Sequence, residues 1–183
     1  MQQGPIDQSV ADDLRAAIRE VPDFPKKGIL FYDITTLLAD ARSFRRAVDA
    51  LAAPHIGQPI DLVVGIEARG FILGAALAYT LGKGFVVVRK KGKLPARTRA
   101  ASYSLEYGVD QIEIHENAIP AGAHVIVIDD LLATGGTAAA AVQLVRDSGG
   151  QVVECAFLVE LDFLDGRARL DDCKVVSLVH YSS

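Results

Sequence analysis

The sequence predicts an α/β fold, a mainly parallel twisted sheet flanked by helices, on three observations. Short segments rich in β-branched residues alternate along the chain with stretches of helical periodicity. Residues 125–128, Val-Ile-Val-Ile, form an unbroken apolar run, the pattern of a strand buried on both faces. Strand–turn–helix corners with glycine at the helix start occur twice, at 65–71 and 128–137. In an open α/β sheet such corners are where ligands bind.

Taken in order, residues 7–20 read as a helix, with Val10, Leu14, Ala17 and Ile18 on one face. Residues 21–34, punctuated by Pro22, Pro25 and Gly28, read as irregular and are expected to form a small N-terminal hood. Ser43 is expected to cap a helix running to about Ala53, before Pro54. A strand at 61–66, a helix at 70–81 ended by Gly82 and a strand at 84–89 follow. Residues 90–100, basic and poor in apolar groups, read as a mobile loop. Two period-two segments, 101–107 and 111–115, suggest a hairpin better suited to a lid than to a core; loop and hairpin together place the lid at about 90–115. Strand 123–128, helix 136–148 and strands 151–159 and 174–179 complete one domain spanning 1–183, with no internal repeat or interdomain linker.

Composition narrows the function. A chain of 183 residues is long enough for one substantial core. No apolar run reaches the roughly 18 residues of a membrane span, and the N-terminus lacks the pattern of a secretory signal. The net charge of −4 disfavours nucleic acid as the main partner. Cys155 and Cys173 form neither a metal spacing nor a disulfide framework, and Cys155 lies in an apolar strand pattern. A cytoplasmic protein is expected.

The block 125–137 carries most of the chemistry. Asp129 and Asp130 end the apolar strand, and Ala133, Thr134, Gly135, Gly136 and Thr137 lead into an alanine-rich helix. Glycines let the backbone curl around a ligand, and the loop and helix N-terminus offer N–H donors to a phosphate. Adjacent carboxylates accept hydrogen bonds from vicinal hydroxyls, so a phosphorylated sugar fits better than a bare anion. No Gly-Lys-Ser/Thr follows, which disfavours a Walker A loop, and the dinucleotide Gly pattern is absent. Arg69, at the second corner, offers a guanidinium beside loop amides, the second anion site that a diphosphate needs. The run from Arg89 to Pro95 is basic without interleaved aromatics, a gate for a polyanion rather than a platform for bases. In the hood, Phe31 is a candidate to stack on a planar base. Glu106 is a candidate proton-handling carboxylate if closure desolvates it.

The 125–137 block resembles the phosphoribosyl-pyrophosphate (PRPP) signature of the type I phosphoribosyltransferases. With Pro22-Asp23-Phe24-Pro25, Ala68-Arg69-Gly70-Phe71, Arg89 to Pro95 and Ser102 to Gly108, the chain from about 15 to 165 is similar to the adenine-specific members. The resemblance implies the type I phosphoribosyltransferase fold and a purine salvage transferase that converts adenine and PRPP to AMP and pyrophosphate. It implies that residues 133–137 bind the 5′-phosphate and that Asp129 and Asp130 bind the ribose hydroxyls. Arg69, Lys93 and Arg89 would hold the pyrophosphate, Arg89 from its own chain or from a second subunit. Adenine would lie between Phe31 and Leu131, its edge read by the backbones of Leu30 and Tyr32, with Glu106 and Tyr107 in the lid. Mg2+ would enter with PRPP, held mainly by diphosphate and ribose oxygens, and a homodimer is implied. Three positions depart from the pattern: Tyr32 stands where some members have Arg, Ala68 replaces a frequent Ser, and residues 96–99 are idiosyncratic. None of the four histidines lies in a signature block.

Two rival readings are a phosphoribosyltransferase for another base and a PRPP-sensing binding module. The hood and the Leu105-Glu106-Tyr107-Gly108 segment argue against the first. The second is disfavoured because no nucleic-acid-binding segment is visible and the basic loop is retained.

Overall fold

A computed structural model describes residues 7–104 and 109–182. In chain order the elements are α1 (Gln8–Ala17), β1 (Arg19–Pro22), β2 (Leu30–Asp33), α2 (Thr35–Ala39), α3 (Ala41–Ala52), β3 (Leu62–Ile66), α4 (Gly70–Leu81), β4 (Gly84–Lys90), β5 (Thr98–Ser104), β6 (Val109–His115), β7 (His124–Leu132), α5 (Gly136–Asp147), β8 (Gln151–Leu161) and β9 (Val175–Tyr181). Seven strands form one sheet in the order β5-β6-β4-β3-β7-β8-β9. The five from β4 to β9 run parallel, and β5 and β6 add an antiparallel pair at one edge.

Alternation along the central strands divides the core between the two sheet faces. Val63, Ile126 and Ile128 pack with Leu14, Leu37, Leu51 and Leu73 from α1 to α4. Val64, Val125 and Val127 face the other way, onto Ala141, Leu144 and Val145 of α5. Burying each large aliphatic side chain contributes about 1.5–3 kcal/mol, which is why the central strands tolerate almost no polar residue. That makes the carboxylates at the end of β7 conspicuous.

The parallel core, helix α4 with its Gly82 stop and helix α5 lie where the sequence puts them. Elsewhere the structure corrects the reading. Helix α1 stops at Ala17 because Ile18 is already extended (φ −89°, ψ 132°). Residues 21–34 are not wholly irregular: β1 and β2 pair antiparallel, Val21 opposite Phe31, in a separate two-stranded sheet. The five-residue α2 was not anticipated. Ser43 is not the cap of α3; Asp40 is, its carboxylate accepting from the Ser43 N–H at 2.8 Å. The basic loop ends sooner than expected, since β5 begins at Thr98. The hairpin β5–β6 is no detached lid, because β6 joins β4 and buries Ile112 and Ile114 in the core. Strand β7 runs on through the acid pair to Leu132, held by its ladder to β8.

Candidate active site

The site forms where β3, β4 and β7 end and the hood folds over them. Strand β7 presents Asp129 half-buried and Asp130 only 7% exposed at the side chain. The Asp130 N–H donates to Asp129 Oδ1 at 2.8 Å. Burial, and then the charge of Asp130, push the Asp129 carboxyl well above the ordinary carboxylate range. Gly70, the first residue of α4, permits this crowding: a Cβ there would lie 2.8 Å from Asp129 Oδ1 and 2.9 Å from the Ile128 carbonyl.

Arg69 occupies the N-cap of α4, where the helix dipole disfavours a cation. Its compensation is Asp130, whose Oδ2 lies 3.0 Å from Arg69 Nε, an ion pair without hydrogen-bond alignment. The same guanidinium sits over the Phe31 ring, 5.5 Å from its centroid. Arg69 therefore joins the acid pair to the hood.

After β7, Ala133 is half-buried and Thr134 exposed. Gly135 caps α5 with φ +78°, and no side chain caps the first N–H groups of that helix. The loop lies against the short turn 166–169. A Cβ on Gly135 would fall 2.3 Å from the Gly166 carbonyl, and one on Gly166 would fall 2.2 Å from the Ala133 carbonyl. Backbone thus packs on backbone, and residues 133–137 are shaped by a segment that the sequence left unassigned. The Tyr103 hydroxyl donates to Asp110 Oδ2 at 3.1 Å, and Thr137 lies close to the same phenol. This brings the turn end of the β5–β6 hairpin against α5.

In the hood, Phe24 meets Phe31 edge to face at 5.1 Å. Leu30 is exposed, while Tyr32 is buried and stacked on Tyr181 at 3.7 Å. Leu131 packs, half-buried, against the core cluster that includes Tyr32. Arg89 and Lys93 come together on Glu67: Arg89 Nη2 donates to Glu67 Oε1 at 2.9 Å and Lys93 Nζ lies 3.4 Å from it. Glu106 and Tyr107 fall outside the described residues.

Several relatives match this arrangement closely. The phosphoribosyl transferase domain family matches residues 35–179. An adenine phosphoribosyltransferase from Geobacter metallireducens is 62% identical over 170 residues, 93% of this chain and 99% of that one. One from Acidobacterium capsulatum is 61% identical, covering 93% and 94%.

The chain belongs to the phosphoribosyltransferase family, among the adenine phosphoribosyltransferases.

Solved structures agree with that placement. The enzyme from Thermoanaerobacter pseudethanolicus superposes with a TM-score of 0.90 at 51% identity, covering 93% of this chain and 99% of that one. The Saccharomyces cerevisiae enzyme, complexed with an imino-altritol bisphosphate and adenine, gives 0.90 at 44%, covering 94% and 99%. The type I phosphoribosyltransferase fold expected from the sequence is the one observed.

Five of the residues singled out from the sequence stand in two groups. Arg69 stands with Asp130 and Phe31, whereas Arg89 and Lys93 stand with Glu67. Glu67 was missed: a lone acid in a turn carries no local signal, and its partners lie over twenty residues away. Elsewhere, Glu160, Asp162 and His180 offer donor atoms within 4.8 Å of one another. Glu160, however, already accepts from Arg167 on both oxygens and from Ser177, so both of its oxygens are engaged by the protein.

Proposed function

We propose that this protein transfers the 5-phosphoribosyl group from PRPP to adenine, giving AMP and pyrophosphate in purine salvage. The observation that carries the reading is the acid pair Asp129–Asp130 at the end of a buried strand, beside an uncapped helix N-terminus and within reach of Arg69. Residues 133–137 would take the 5′-phosphate through backbone N–H groups, with Thr134 and Thr137 adding hydroxyls. Asp129 and Asp130 would accept from the ribose hydroxyls. Arg69, Arg89 and Lys93 would meet the pyrophosphate, whose charge grows as the ribosyl carbon becomes cationic. Adenine would enter between Phe31 and Leu131 and be read by the Leu30 and Tyr32 backbones. Because Arg69 sits over Phe31, filling the base site and moving this guanidinium toward the diphosphate are parts of one rearrangement. Glu106 and Tyr107 would complete the lid, excluding water from the reactive sugar.

The donor set fits a magnesium ion brought in by PRPP. The two carboxylates are hard oxygen ligands, and Asp130 Oδ2 is buried with no hydrogen-bond partner among the described residues. Bound there, the ion would neutralise the leaving diphosphate. Asp129 and Asp130 would orient the sugar.

A homodimer is supported by α4, which is apolar on all sides yet leaves Ile72 and Tyr79 exposed, Tyr79 at 90%. A cytoplasmic setting is supported by two free thiols, Cys155 and Cys173. No helix among the described residues is long and apolar enough to cross a membrane. The chain works as one catalytic domain, with its hood at about 21–34 and its lid within about 90–115. Incubation with PRPP, Mg2+ and adenine should release AMP and pyrophosphate in equal amounts; absence of AMP would overturn the reading.

A further inference from the structure

Three groups of the basic loop converge on a single carboxylate. Arg89 Nη2 donates to Glu67 Oε1 at 2.9 Å, Lys93 Nζ lies 3.4 Å from that oxygen, and the Lys90 N–H donates to Oε2 at 3.1 Å. Arg89 Nη1 also donates to the Lys93 carbonyl at 3.0 Å, which folds the loop onto its own cation. The Glu67 side chain is 14% exposed, and the Arg89 hydrogen bond, with the Lys90 N–H behind it, holds its carboxyl down at about 2. It is ionised throughout the neutral range. Arg89 Nε is buried and has no hydrogen-bond partner among the described residues, so this guanidinium keeps a donor in reserve.

We infer that Glu67 is a positioning residue for the leaving diphosphate, gathering Arg89 and Lys93 before substrate arrives and then competing with the product for them. This rests on the assignment of Arg89 and Lys93 to pyrophosphate made above. Two cations brought close repel each other, and a carboxylate between them removes that cost. The loop is thereby set before PRPP binds, which spares ordering at the moment of reaction. The same carboxylate has an opposite effect afterwards. When diphosphate takes the cations, Glu67 loses its charge-assisted bonds and lies close to a polyanion. Holding the product becomes costlier, and its release faster. Only hydrogen bonds exchange; no covalent step is involved. Glu67 sits two residues before Arg69, so the turn that brings a cation to the acid pair also carries the anion that restrains the basic loop.

Product inhibition by inorganic pyrophosphate tests this in Glu67→Gln, with the KM values for PRPP and adenine measured in parallel. Gln keeps the length and one acceptor for Arg89 but removes the charge. Pyrophosphate should inhibit the variant about three- to tenfold more tightly, as expected when a charge-assisted competitor becomes neutral. KM for PRPP should fall in the same direction, with KM for adenine unchanged. The expectation holds because the neutral Gln still offers Arg89 an acceptor, so competition is lost while most of the gathering is kept. If gathering by charge were the larger effect, the variant would bind pyrophosphate more weakly and raise KM for PRPP; that result, or no change, overturns the inference. Should the Gln variant fold poorly, Glu67→Asp carries the same expectation at smaller size, because its carboxylate falls short of Arg89. Arg89→Ala and Lys93→Ala serve as controls and should both weaken pyrophosphate. If neither does, the assignment beneath the inference fails and takes the inference with it. If both do while Glu67→Gln changes nothing, the inference alone fails.

Discussion

Arg69 Nε lies 3.0 Å from Asp130 Oδ2, linking the N-terminus of α4 to the end of β7. Asp130 is nearly buried while Arg69 is 38% exposed. Removing the arginine therefore strands a buried carboxylate oxygen that has no hydrogen-bond partner among the described residues. Arg69→Ala should lower kcat/KM for PRPP at least tenfold and also cost about 1–2 kcal/mol of stability, a buried-pair penalty discounted for the exposed partner. Steady-state kinetics and thermal unfolding on one preparation check both. Kinetics near wild type would remove Arg69 from the site.

Asp129→Asn should stabilise the empty protein in a pH-dependent way. The carboxyl is raised above its unfolded value by burial and by Asp130. A raised acid favours the fold when protonated, so its contribution is fully present below the unfolded pKa and is lost as pH rises through the folded one. The variant should thus unfold at a higher temperature than wild type at pH 7, and the gap should close near pH 4. KM for PRPP should meanwhile rise roughly tenfold, since a neutral acceptor replaces a charged one. A variant less stable at pH 7 with unchanged kinetics would mean that the pair only shapes the turn.

Gly166→Ala should impair PRPP use although no substrate is expected to touch Gly166. Its added Cβ would meet the Ala133 carbonyl at 2.2 Å, backbone that cannot yield without reshaping residues 133–135. KM for PRPP should rise while KM for adenine stays within about twofold, beside a stability loss of about 1–3 kcal/mol. An unchanged KM for PRPP would show that the turn 166–169 does not shape the phosphate loop.

Much of this was legible in the sequence. The apolar run ending in two acids pointed to the corner where the candidate site is built, because charge is uncommon at the end of a buried strand. Gly70 to Gly82 delimited α4 correctly. What escaped detection was short, or depended on distant partners. Strands β1 and β2 have four residues each and include Pro22, too few for a period to register. Asp40 and Ser43 are both cap-competent and stand three apart, so only geometry decides that one carboxylate receives the other's N–H. Aspartate favours strands poorly, yet the ladder to β8 carries β7 through the acid pair. The separation of Arg69 from the Arg89–Lys93 group could not be read from residue types, since all three are simply cations near corners.

The exposed apolar face of α4 should prove to be a subunit contact. Light scattering is expected to give twice the chain mass of 19.5 kDa for the wild type and a shift toward the monomer for Ile72→Arg with Tyr79→Arg. A monomeric wild type would remove the dimer from the reading.

Base selectivity is the most direct test of the central claim. With PRPP saturating and pyrophosphate release followed, kcat/KM is compared for adenine and hypoxanthine. Hood backbone groups that accept from the 6-amino group and donate to N1 would be left unpaired by the 6-oxo base, at about 1–3 kcal/mol for each group. Adenine should therefore be favoured at least about thirtyfold. Equal specificity constants for the two bases would contradict an adenine-specific transferase.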